Sequence, residues 1–133
     1  MRVDTLDQIL GRLVGCELAS VQFVRDYVQL RFEPSSGPDE PVLTCNAPPV
    51  VEQDGRRLSD GDGGWADALR ALIGQTVIGT DATTGIGIHF ESGLLRMSPT
   101  RDELTGPEIA LLSGFEDGVW IVWRHGEPPF EDG

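Results

Sequence analysis

Apolar residues recur at two periods along the chain, and the two periods alternate. Near the N-terminus Leu6, Ile9, Leu10 and Leu13 fall on the i, i+3, i+4, i+7 stripe of a short helix, and Gly15 follows as a left-handed stop. Asp4 or Thr5 can cap its start. Trp65, Leu69, Leu72 and Ile73 repeat the stripe before Gly74, with Asp62 or a neighbouring glycine as the cap. Between and after these helices the period falls to two. Val28, Leu30 and Phe32 alternate with Tyr27, Gln29 and Arg31, and Ile86, Ile88 and Phe90 alternate with Gly85, Gly87 and His89. That alternation predicts strands with one buried face.

The two stretches correspond. A shift of 59 positions places Leu6, Leu10, Leu13, Val14, Gly15 and Leu18 on Trp65, Leu69, Leu72, Ile73, Gly74 and Val77. After a one-residue deletion the Val-x-Leu-x-Phe strand falls on Ile-x-Ile-x-Phe. Further strands over 42–47 and 94–98, each followed by proline (Pro48, Pro99), complete a three-stranded antiparallel meander in each copy. The expectation is one α+β domain over 1–133 made of two pseudo-symmetric helix-plus-antiparallel-meander repeats. The first covers about 5–58 and the second about 64–98, with 48–61 as a polar linker between them. Residues 99–133 form a C-terminal extension that breaks the symmetry.

Within that extension Pro107 opens a short helical or extended segment through Leu112, and 119–124 reads as an extra C-terminal strand. Val119, Ile121 and Trp123 point one way along it, and Trp120, Val122 and Arg124 the other. Two apolar faces on one strand predict that both Trp120 and Trp123 are covered, inside the monomer or by a weak homodimer contact. On that expectation either Trp→Ala change costs about 3–5 kcal/mol.

Charge narrows the function classes. The chain carries 22 acidic and 10 basic side chains, a net charge of −12, and every basic residue is Arg. The absence of Lys removes Schiff-base and P-loop chemistry, and the negative field opposes nucleic acid and anionic membranes. Asp4, Asp7 and Arg12 interrupt the N-terminal apolar stretch, and no window approaches a membrane span, so the expectation is a soluble cytoplasmic protein. There Cys16 and Cys45 stay reduced as small buried hydrophobes.

Motifs with chemistry fall away one by one. The run from Asp60 to Gly64 starts like a calcium loop but has Trp65 where the loop needs glycine and Ala71 where it needs a bidentate glutamate, so a helix cap explains it better. Gly85-Ile86-Gly87 lacks the third glycine and the helix of a dinucleotide fingerprint. His89 matches Arg31 in the other copy, which favours a solvated strand position over a general base, and His125 falls on a turn. No nucleophile elbow or zinc spacing occurs, and the reading calls for no catalytic residue, metal or cofactor.

Acidic residues crowd the C-terminal third, with eight between Asp102 and Asp132 against the single Arg124. Glu116, Asp117, Glu127, Glu131 and Asp132 are the candidate partner-binding residues. The duplication, together with the Val-Trp-Arg-x-Gly-Glu ending over 122–127, resembles a family of small acidic proteins of unknown function known mainly from actinobacterial genomes. The resemblance implies a compact α+β domain and brings no catalytic residue with it. In size and charge the chain is similar to immunity proteins that neutralise secreted toxins. The expected function is a non-catalytic protein-binding module with an acidic surface for a basic partner. The alternative is a small-ligand binder or enzyme with a pocket between the two repeats, marked by polar groups buried at their junction.

Overall fold

The computed structural model describes residues 6–25, 27–82, 85–99, 102, 104, 106 and 108–124. The fold is α+β and mostly antiparallel sheet: among the described residues there are ten strands in two sheets, with two short helices. Helix α1 (Leu6–Leu10) tightens into a 3-10 turn (Gly11–Leu13), and α2 spans Trp65–Ala71. Each ends at a left-handed glycine, Gly15 (φ 90°) and Gly74 (φ 92°), a conformation that costs an L side chain strain. The cap of α2 is Gly64, while Asp62 accepts the N–H of Ser59 at 2.8 Å in the preceding turn.

Strands β1 (Glu17–Val24), β2 (Tyr27–Glu33) and β3 (Val42–Cys45) form one antiparallel meander. Strands β6 (Val77–Asp81), β7 (Ile86–Phe90) and β8 (Leu94–Met97) form the other. The stretch expected as a linker is a hairpin, β4 (Val50–Gln53) and β5 (Arg56–Leu58), turned at Asp54 and Gly55. Both turn residues have positive φ, as a two-residue hairpin loop requires. The C-terminal extension likewise holds a hairpin rather than one strand, β9 (Glu108–Ser113) and β10 (Ile121–Arg124), with Pro107 outside the described residues.

Each hairpin pairs with the meander of the other half. Sheet A runs β1-β2-β3-β9-β10 and sheet B runs β5-β4-β8-β7-β6, so β4 adds to β8 and β9 adds to β3. The registers match row for row. Val21, Leu30, Leu43, Leu112 and Ile121 lie abreast in sheet A, and Thr80, Ile88, Leu95, Val51 and Leu58 lie abreast in sheet B. The sheets meet where Gly15 N donates to Val77 O at 2.9 Å and Gly74 N to Leu18 O at 2.8 Å, while Leu18 N donates to Gln75 O at 3.0 Å and Val77 N to Cys16 O at 2.8 Å. Under the 59-residue shift the two members of each pair exchange. Both first strands also break register at matching places, Leu18/Ser20 and Val77/Gly79.

One hydrophobic cluster joins everything. It takes the inward residues of both sheets, Leu10 and Leu13 from the first helical segment, and Leu69 and Leu72 from the second. Each of those four leucines is fully buried, and burial of such a side chain contributes about 1.5–3 kcal/mol. Cys16 and Cys45 are free thiols in this core, where burial pushes both pKa values up and keeps the sulfurs unreactive. No helix among the described residues is long and apolar enough to cross a membrane.

Candidate functional site

Glu116 and Asp117 lie in the seven-residue connection 114–120 between β9 and β10. The connection is tied down on all sides. Gly114 O accepts from Glu40 N at 2.9 Å, Glu116 N donates to Asp39 Oδ1 at 2.7 Å, and Gly118 N donates to Phe115 O at 2.9 Å. Phe115 is buried, with the Arg12 guanidinium 5.0 Å over its ring. The same Arg12 contacts Asp117 at 3.0 Å. Asp117 also accepts the N–H of Val119 at 3.0 Å, and that bond, ahead of Arg12, holds its carboxyl below the ordinary range. Asp117 is therefore a strut of the loop, and Glu116 projects beside it into solvent. The other candidates, Glu127, Glu131 and Asp132, lie outside the described residues, as does His125.

The two C-terminal tryptophans part company. Trp123 is 1% exposed in the core, its indole N–H without an acceptor among the described residues, whereas Trp120 is 63% exposed. The expectation that both are covered inside the monomer is thus corrected for Trp120. The alternation along the strand is as expected, but the outer face of the hairpin carries no further layer among the described residues. Trp120 borders a groove of about 400 Å³ lined by Leu111, Phe115, Val119 and Val122, with Glu108 and Arg124 at one end, 3.3 Å apart. Trp120 was legible in the sequence as one of two opposed tryptophans, but its exposure in the monomer was not; it stands one residue before Ile121, as Arg57 stands before Leu58.

A second constellation crosses the outer face of sheet B. His89 stands on β7 with its side chain 40% exposed, its Nε2 2.8 Å from Asp81 Oδ2. Asp81 lies on Gly87, where a Cβ would sit 2.5 Å from the carboxylate, and its Oδ1 is 3.5 Å from Arg96. Arg96 in turn is 3.7 Å from Glu52. The His89 bond, then the Arg96 charge, hold Asp81 below the ordinary carboxylate range against the opposing effect of burial. Four strands contribute one side chain each: Arg96 stands between the carboxylates of Glu52 and Asp81, and His89 is hydrogen-bonded to Asp81. Such a row fixes register, and the shallow depression beside it mixes Glu52, Asp54, Arg57 and His89 without favouring one ligand charge.

Among the described residues no polar or charged side chain is fully buried, and no group of three metal-ligating side chains forms. Comparison with protein-family models, with curated proteins and with solved structures gives no match for this chain.

Proposed function

We propose that the protein is a non-catalytic protein-binding module of the cytoplasm, acting through an acidic surface on a basic partner in the manner of immunity proteins. The observation that carries this reading is the β9–β10 connection, held rigid by Asp39, Glu40, Arg12 and Asp117 while presenting Glu116 to solvent. A pre-organised acidic loop on a chain of charge −12 speeds encounter with a cationic surface and loses little freedom on docking. The ligand-binding alternative needs several polar groups gathered in a pocket between the halves; among the described residues the buried polar side-chain atoms without a hydrogen-bond partner are the Trp123 indole N–H and Asp81 Oδ1, on different sheets. Immobilised protein should retain basic proteins from its native extract at low salt and release them as salt rises. Retention of a small metabolite with no protein, read by native mass spectrometry, would decide for the alternative.

The architecture on which this surface sits is read as a duplication, with units broader than the helix and meander alone. Unit one is α1 through β5 and unit two is α2 through β10, each lending its terminal hairpin to the other's sheet. The exchange of hydrogen-bond pairs under the 59-residue shift supports it.

A further inference from the structure

The hairpins β4–β5 and β9–β10 hold the same place in their sheets, so each is an internal control for the other. Matching the rows Val51–Leu58 and Leu112–Ile121 puts Arg57, which lies in β5 and pairs with Glu52, and Trp120, just before β10, each one residue ahead of its row. Val119 packs partly against the core, so folding accounts for it. A Trp that is 63% exposed beside Val122 and Leu111 is surface left to be covered. The turn differs in the same direction: two residues, Asp54-Gly55, close one hairpin, and the acidic connection 114–120 closes the other.

We propose that the Trp120 groove is the docking surface for a basic protein segment that inserts an apolar side chain against Trp120 and sets flanking arginines or lysines on the carboxylates around it. The inference rests on the acidic-surface reading above and gives it a location. Charge complementarity chooses the occupant. Arg12 is paired with Asp117 and Arg124 with Glu108, which leaves Glu116 on the loop, with Asp39 and Glu40 behind it, as the excess negative charge beside the groove. A second copy of the chain would bring the same excess of negative charge to the contact.

The test uses the full chain and two synthetic peptides, one alternating arginine with leucine and one alternating arginine with serine. Amide resonances of 114–120 and the Trp120 indole N–H, assigned by its loss in Trp120→Ala, are followed in heteronuclear spectra. The arginine–leucine peptide should move them. Its affinity should fall at least about tenfold for the serine peptide and for Trp120→Ala, and several-fold as salt rises from about 50 to about 300 mM. Circular dichroism should show Trp120→Ala fully folded. Shifts centred on other carboxylates would overturn the groove and leave the acidic-surface reading standing, whereas no shift with either peptide would overturn both. Sedimentation showing a dimer that Trp120→Ala dissolves would make the occupant a second copy. Protection of Trp120 from acrylamide quenching in the free protein would mean that the chain covers itself. Either result overturns the proposal.

Discussion

The outer faces of the two sheets share one ladder and carry opposite surfaces. In sheet B, Asp81 faces Gly87, Gly87 faces Arg96, and His89 and Glu52 stand in the adjoining row, so the charges meet one another. In sheet A the matching places hold Gln22, Gln29 and Thr44, with Arg31 in the adjoining row. Hydrogen bonds replace the ion pairs there, Gln29 to Thr44 at 3.2 Å and Arg31 to Gln22 at 3.5 Å. Beyond Thr44 that face turns apolar, through Leu111 and Val122 to Trp120. The inward rows do not differ in this way, because every inward position must fill one close-packed core. Outward positions have no such constraint, and one sheet closed its charges on itself while the other left an apolar edge open.

The sharpest way to break this contrast is to truncate the inward tryptophan. Trp123→Ala should cost about 3–5 kcal/mol in denaturant unfolding, because it empties a core position. A loss below about 1 kcal/mol would mean that the face assignment of β10 is wrong. The two hairpin turns give the next largest difference. Gly114 has φ 97° and a Cβ there would lie 2.1 Å from Glu40 O, whereas Gly55 has φ 76° and open space around it. Gly114→Ala should lower stability by about 2–4 kcal/mol and Gly55→Ala by about 1 kcal/mol, and equal shifts in Tm would erase the distinction.

The ionic row should show itself in pH dependence. Asp81 is held below its ordinary pKa, so its contribution is complete above the unfolded value near 4 and is lost as pH falls through the folded value. Asp81→Asn should cost about 1 kcal/mol at neutral pH and flatten the acid limb of the stability curve. Gln22→Ala, at the matching site of sheet A, should leave that limb unchanged. The smallest effect belongs to Trp120→Ala, expected within about 0.5 kcal/mol of the parent. A larger loss would put Trp120 in the packing of the fold and remove it as a free surface.

The helices, their glycine stops, both meanders and the inward residues were legible because burial imposes a period on the sequence. Cys16 and Cys45 were legible as core positions for the same reason. The two hairpins were not. Val50–Gln53 and Arg56–Leu58 are short, sit among Pro, Asp and Gly, and carry little alternation, so they read as a linker until β8 supplies the partner. The strand position of His89 was legible, but its contact with Asp81 was not, because Asp81 lies on the neighbouring strand, diagonally across the ladder, and only the hairpin register brings them within 2.8 Å.

By itself the sequence determined the periodic elements, their order and the face that each turns inward, since these follow from local propensity and from removing apolar side chains from water. Tertiary structure decided which sheet each hairpin joins, which charges neutralise one another and which tryptophan is left in solvent. Those outcomes depend on pairings between residues far apart in the chain, such as Leu43 with Leu112 and Val51 with Leu95, and no local pattern specifies a non-local partner.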